Sequence, residues 1–491
     1  MKVLPRGQNS GTLVREDAIW AITLFAVAVA VRLVFLAQME IPPFDPWRHL
    51  ALVRNLRDGT GFTLFDGQPY LWYGPTWYYL CAALPSWFRI EWFAGLISAV
   101  SAPTAFLFMR LQTPQASRVA PIVAGTLFGA AGPVVAYTCH YGPEALALLM
   151  TILALLVCTV TRRAIGSFLG GLAFGIALSL RLNFVFDSFL FLPWMRHPSR
   201  ATAFASGAAL PLLLTWWRNH SIIEAYAWVF TWDGLATRSA DFNLLSTLVP
   251  QMHPAIAEGL RRVHEQVIPR PEWIHGTDGI AWGLMLFVAC GLAGLVASRR
   301  WPLILAGGSA FFYFLVMDRS LSAHYFRIYL VVFPVLFFGI ALTAQRLWNR
   351  GSGRWLSIVF VALPLLGGAP LLRPAPMVPL EAVNPPPGFL EGDRYLVDSA
   401  FFHPESLIYR HPDKTFIGLP IDSEQLDAFL AAYPSYDEVL WHDRSIQTEV
   451  DIEVTRRAYL RGVRESVNAH GVRYRIVPLD PTVCADPQRN D

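Results

Sequence analysis

About eleven apolar stretches run through this chain, each near the roughly 20 residues that a helix needs to cross a hydrocarbon core. They lie near 19–38, 92–109, 119–137, 144–161, 165–181, 183–195, 202–217, 279–297, 302–317, 325–344 and 355–372, the sixth being short. So many long apolar segments point to a polytopic α-helical membrane protein. Composition agrees: 15% of the 491 residues are charged, against roughly 25% in soluble proteins. The 39 Lys and Arg against 36 Asp and Glu are too balanced to imply a nucleic-acid partner. The five cysteines, at 81, 139, 158, 290 and 484, form no CxxC and no paired spacing, which excludes a zinc module and a disulfide framework.

The arginines set an orientation. With Lys2, Arg6 and Arg15 in the cytoplasm, alternate short loops carry Arg110 and Arg118, Arg162 and Arg163, Arg196 and Arg200, Arg299 and Arg300, and Arg346, Arg350 and Arg354. The opposite loops are longer, mixed in charge and rich in aromatics. Counting 75–88 as a span would put Arg110 and Arg118 outside, so that short apolar piece reads as a re-entrant or interfacial helix. The first segment contains Arg32 and is followed by Glu40-Ile-Pro-Pro. It is expected to stay as a span rather than be cleaved as a signal peptide.

This divides the chain into a membrane domain over 1–372 with outer loops 39–91 and 218–278, a proline-rich linker over 373–390, and a soluble extracytoplasmic α/β domain over 391–491. In the first loop, Asp45 can cap a helix with Pro46 at its first position. Trp47, Leu50, Val53 and Leu56 recur every three residues, as a helix lying on the membrane surface needs, and Gly59 ends it. The second loop holds Trp228, Trp232 and Trp273. In the tail, 394–398, 415–418, 437–441 and 472–478 read as short strands. Helices are expected from Ser423 to Tyr433 and over about 449–469.

Ionisable residues at or inside a membrane are costly, which makes each a functional candidate. Asp45, beside Arg48 and His49, can take a proton from an acceptor hydroxyl; an ordinary helix cap is the competing account. Glu144 lies where the third span turns into the fourth, on the same outer side. It can share a substrate hydroxyl or a divalent cation with Asp45, or simply favour a helix dipole. Arg181 ends the fifth span and precedes Asn183 and Asp187. Before the tenth span, DRSLSAHYFRIY supplies Asp318, Arg319, His324, Tyr325, Arg327 and Tyr329. Arginine suits phosphate binding by paired hydrogen bonds, although Arg327 could instead snorkel to the interface. Arg32 and Asp187, deeper in spans, could pair with neighbours to hold the bundle together.

In order along the chain come AVRLVFL, FDPWRHLALVRNLRDGTGF, WYGPTWYYL, HYGPEALALL, GLAFGIALSLRLN and HYFRIYLVVFPVLF. Their order and placement resemble the GT-C membrane glycosyltransferases, the group that includes protein mannosyltransferases and lipid A aminoarabinose transferases. The likeness covers roughly 19–345. It implies transfer of a sugar from a polyprenyl-phosphate carrier to a hydroxyl on lipid, glycan or protein, outside the cytoplasm of a bacterial plasma membrane.

By the same resemblance Asp45 and Glu144 take the places of the family's catalytic acids, and Arg327 that of its late basic residue. Arg48, His49, Arg181, His324 and Tyr325 join Arg327 as substrate-binding candidates. Two departures matter. Pro46 stands where many relatives have a second acid, and Tyr73-Gly74-Pro75 lacks the lysine that some carry before the proline. Donor phosphate would then fall on Arg181, Arg327 or Arg48. No cofactor is firmly implied; the partners are the bilayer, the lipid-linked donor and the acceptor. A lipid-linked sugar flippase and a non-catalytic envelope assembly protein are the rival readings.

Overall fold

A computed structural model describes residues 15–38, 45–59, 61–62, 74–113, 117–139, 141–161, 163–223, 278–316, 330–372, 385–386, 388–397, 407, 411, 413–418, 438–442, 463–467 and 473–478. Contacts group the chain into two compact units. The first comprises Met1–Met39, Leu71–Trp77 and Ser86–Ala375, and the second Glu40–Tyr70, Tyr78–Pro85 and Pro376–Asp491.

Helices of the first unit follow the apolar stretches. They are α1 (Arg15–Gln38), α4 (Ile90–Gln112), α5 (Val119–Ala130), α6 (Gly132–Thr138), α7 (Glu144–Val160), α8 (Ala164–Leu180) and α9 (Pro198–Ile223). After an interval come α10 (Asp278–Ser298), α11 (Trp301–Val316), α12 (Val332–Asn349) and α13 (Arg354–Gly368). Ile22, Val34, Leu213, Trp217, Trp355 and Leu366 point outward. Such an apolar exterior is that of a membrane protein. Among the described residues, α1 and α4 are each long and apolar enough to cross a bilayer, and α5 with α6 makes a third if taken as one bent span. Among the described residues this gives two or three spans, which does not confirm the expected count of eleven. In particular, the stretch expected near 183–195 is a 3-10 helix, Leu182–Phe191. At about 2 Å per residue it falls short of the core thickness.

Pro133 explains the bend of 46° between α5 and α6. A proline has no N–H for the carbonyl four residues back, which here is Gly129. Ala131 leaves helical geometry (ψ 124°), so the last carbonyls of α5 lose their partners. Arg32 of α1 takes them. Its Nη1 donates to Gly129 O (2.6 Å) and Ala28 O (3.0 Å), and its Nη2 to Phe128 O (3.0 Å) and Ser98 Oγ (2.8 Å). Nε also donates to Ser98 Oγ, at 3.0 Å. Each of the five guanidinium donors has an acceptor, in a side chain 1% exposed. Ser98 in turn bonds Thr138 at the end of α6. Arg32 therefore does hold the bundle together, through carbonyls and hydroxyls. Asp187 is also buried, but neither of its carboxylate oxygens meets a partner among the described residues.

The arginine-bearing loops gather at one end of this unit. Asp17, buried at the start of α1, accepts from Arg110 Nε (3.1 Å) and Arg118 Nε (2.9 Å). Gln112 bonds Thr159 at the end of α7, and Arg200 bonds Ser167 near the start of α8. Gln345 near the end of α12 bonds Ser117, while Arg346 caps the last carbonyls of α10, at Ala297 and Ser298. The alternation of loops read from the arginines is thus a physical grouping. On α8, Gly171 and Gly175 lie one turn apart, and an added Cβ would sit 2.1 Å from Phe204 O and 2.3 Å from Ala208 O of α9. This is the close backbone approach that small residues allow between membrane helices.

The second unit contains α2 (Asp45–Arg57), most of the seven-residue α3 (Thr76–Ala82), and a sheet. Gly59 follows α2 with φ +79°, as the expected stop requires. His49 through Val53 are all buried, so α2 is covered on more than one side. That corrects the expectation of an amphipathic surface helix: His-Leu-Ala-Leu-Val sets apolar residues on consecutive positions, beyond a single stripe. The sheet has the order β2-β1-β3-β5-β4, formed by β1 (Arg394–Val397), β2 (Thr415–Gly418), β3 (Glu438–His442), β4 (Arg464–Val467) and β5 (Arg473–Pro478). β1 runs parallel to β2 and β3, and β5 lies antiparallel between β3 and β4. β4 falls inside the helix expected over 449–469. Its antiparallel pairing with β5, which sets Arg464 opposite Ile476, overrides the local helical pattern. The helix expected from Ser423 to Tyr433 and the tryptophans at 228, 232 and 273 lie outside the described residues.

Replacing Arg32 by Met orphans the Gly129 and Phe128 carbonyls while relieving a buried charge. The expected net loss is about 2 kcal/mol, read as a lowered thermal midpoint in detergent. An unchanged midpoint would contradict the role given to Arg32.

Candidate functional site

Three segments of the first unit, far apart in sequence, meet at the end opposite the arginine loops. α7 and α8 are each 17 residues long, or about 25 Å, and are joined by the short link 161–163. In such a hairpin the first residue of one helix faces the last of the other. Glu144 opens α7, where the helix dipole favours an acid, and Arg181 follows α8, where it favours a base. Their side chains form an ion pair from Arg181 Nη2 to Glu144 Oε1, with the Glu144 side chain only 4% exposed. Arg181 keeps an extended backbone (φ −149°, ψ 97°) while its N–H still donates to Ala177 O, 2.8 Å away.

Gly74 and Trp77 dock beside the segments that carry this pair. Gly74 N–H donates to Ser179 O at 2.9 Å, and a Cβ there would lie 2.7 Å from that same oxygen. The buried Trp77 donates from its indole to Tyr141 O, at 2.8 Å, and stacks on Phe93. Pro143 caps α7 immediately before Glu144. Arg89, paired with Glu91, also reaches the Tyr141 hydroxyl. The loop Tyr141–Glu144 is thus held from both sides, and it follows directly on α6, which Ser98 and Arg32 anchor. Chemically the pair offers a guanidinium, steered by a buried carboxylate, that can meet an anion developing at the end of the bundle.

Glu144 and Arg181 come together. Asp45 and Arg48 occupy the first turn of α2, and their side chains lie outside the described atoms. His49 is buried in the second unit, with Nδ1 2.8 Å from the Tyr78 hydroxyl, and Tyr78 packs against Phe62. This contact ties α2 to α3. His324, Tyr325 and Arg327 lie outside the described residues, as do Asp318 and Arg319.

Sequence reasoning missed Arg57, which donates to Cys81 O (3.0 Å) and Leu84 O (3.2 Å) and so satisfies the end of α3. It also missed the docking of Gly74 and Trp77. The available signal was the repeated Tyr-Gly-Pro at 73–75 and 141–143, each just ahead of a helix.

A double-mutant cycle tests the pair. Glu144→Gln alone leaves a buried guanidinium without its carboxylate and is expected to cost about 3–5 kcal/mol. Adding Arg181→Met should recover part of that loss in the thermal midpoint; strict additivity would mean that the two do not interact. Gly74→Ala should by itself lower the midpoint through its clash with Ser179 O, and a neutral result would contradict the close docking.

No family model matches this chain, and no curated protein does. Among solved structures it is similar to the oligosaccharyltransferase of Archaeoglobus fulgidus. The apo crystal structure aligns with a TM-score of 0.53 at 13% identity, over 87% of this chain and 69% of that one. The same protein with zinc and sulfate gives 0.49 at 12% identity, over 86% and 67%. Its complex with an inhibitory peptide and a dolichol-phosphate gives 0.48 at 12%, over 87% and 70%. On the apo alignment, the chain shares the fold of that oligosaccharyltransferase.

Proposed function

We propose that the chain is an integral-membrane glycosyltransferase, moving a sugar from a polyprenyl-phosphate donor to a hydroxyl of a lipid, glycan or protein. The observation that carries this reading is the Glu144–Arg181 pair, held at the bundle end opposite the arginine loops in a chain of GT-C fold. Positive charge favours the cytoplasmic side, so the pair belongs to the extracytoplasmic face of a plasma membrane. There a polyprenyl phosphate has its chain in lipid and its phosphosugar at the interface.

In this reading Arg181 donates to the phosphate as it departs, and Glu144 is a positioning residue that aims the guanidinium. Asp45, at the start of α2, accepts the proton of the acceptor hydroxyl. The hydroxyl oxygen bonds to the anomeric carbon as the bond from that carbon to the phosphate oxygen breaks. The electron pair leaves with the phosphate, and in-line attack inverts the anomeric centre. Arg48, His324, Tyr325 and Arg327 complete the substrate contacts. His49 acts through Tyr78, holding the helix that carries Asp45.

Purified protein given a polyprenyl-phosphate sugar and a hydroxyl acceptor should release polyprenyl phosphate. Asp45→Asn should slow release by about 10²-fold or more at an unchanged thermal midpoint. Normal turnover in that variant would remove Asp45 as the base. Movement of the intact donor across a vesicle membrane without release would instead identify a flippase.

A further inference from the structure

A cavity of about 60 Å³ opens among α4, α7, α11, α12 and the segment after the 3-10 helix. Phe108, Leu155, Trp194, Leu303 and Phe338 line it with hydrocarbon and aromatic surface, and Arg300 lies among them. This is the arginine-rich end of the bundle, away from Glu144 and Arg181, and the reaction proposed above uses none of these residues.

Arg300 sits in the turn between α10 and α11, half-buried. Its backbone N–H bonds Ser298 Oγ at 3.3 Å, but its guanidinium meets no acceptor among the described residues. The charged group that acts on it is Arg346, of like sign, which is itself committed to the Ala297 and Ser298 carbonyls. Burial first, and Arg346 second, hold the Arg300 guanidinium below its ordinary value. The preceding residue, Arg299, has φ +50°, the only positive φ outside glycine among the described residues. A left-handed position just past a helix is ordinarily filled by Gly. Here it is spent on a second arginine, so the turn presents adjacent cations at the cost of backbone strain.

An apolar cavity calls for hydrocarbon, and a half-buried cation facing another cation calls for an anion. One amphiphile meets both demands. We propose that this end of the bundle binds an anionic phospholipid, with its phosphate on Arg300 and a short stretch of one acyl chain seated in the cavity between α4, α11 and α12. The site is separate from the one proposed for the sugar donor and stands whether or not that reading does.

The test uses the whole protein in dodecylmaltoside, titrated with dioleoyl phosphatidylglycerol, dioleoyl phosphatidylcholine or inorganic phosphate, with bound lipid counted by native mass spectrometry. Phosphatidylglycerol should bind at least tenfold more tightly than phosphatidylcholine, and inorganic phosphate should not compete. Arg300→Gln breaks no described side-chain contact and should fold normally while losing that preference. Leu303→Trp fills the cavity and should weaken both lipids. Retained preference in Arg300→Gln would overturn the proposal. So would equal binding of the two lipids, or displacement of phosphatidylglycerol by free phosphate. Should Leu303→Trp fail to fold, the Arg300→Gln titration decides alone.

Discussion

A proline in the middle of an apolar segment leaves carbonyls that lipid cannot satisfy, and the chain must supply their partners itself. Pro133 creates this demand and Arg32, a hundred residues earlier, meets it. The arginine would be costly in a span for any lesser reason. Here its donors match the carbonyls of Phe128 and Gly129 and the hydroxyl of Ser98. The exchange permits a sharp bend between α5 and α6, and that bend delivers the chain to Tyr141–Glu144. An intramembrane charge read as a functional candidate thus has a structural explanation one step removed from the chemistry.

From there the site is a matter of helix lengths. Two helices of equal length joined by a short link bring Glu144 and Arg181 face to face. Each charge sits at the helix end whose dipole favours it, and each helps to offset the other's desolvation. The Gly74 and Trp77 contacts then lay a loop from elsewhere across the ends of both helices. α8 can carry this load because Gly171 and Gly175 let it pack backbone to backbone against α9. Packing deep in the bundle and charge placement at its end are therefore one construction.

Much of this was legible in the residues. Hydropathy located the helices, and the spacing of arginines foretold which loops share an end, because both follow from the bilayer acting locally on sequence. Glu144 and Arg181 were each legible as candidates, but their meeting was not stated, since it depends on comparing two helix lengths. The 3-10 helix at 182–191 could not be told from a short span by apolarity, and β4 was hidden because its partner strand, not its own composition, makes it extended. The contacts of Arg32 required knowing which carbonyls Pro133 releases. α2 looked amphipathic by one periodicity, although its consecutive apolar residues already pointed to burial on several sides.

The proposed function requires the end of the bundle holding Arg181 to receive the phosphate of a lipid-linked sugar. The position of that phosphate tests it most directly, in a cryo-electron microscopy map of the protein in nanodiscs with a polyprenyl phosphate bound. Phosphate density is expected within hydrogen-bond reach of the Arg181 guanidinium, with Glu144 still beside it. Polyprenyl phosphate density confined to the arginine-rich end, with the Glu144–Arg181 pair untouched, would contradict it.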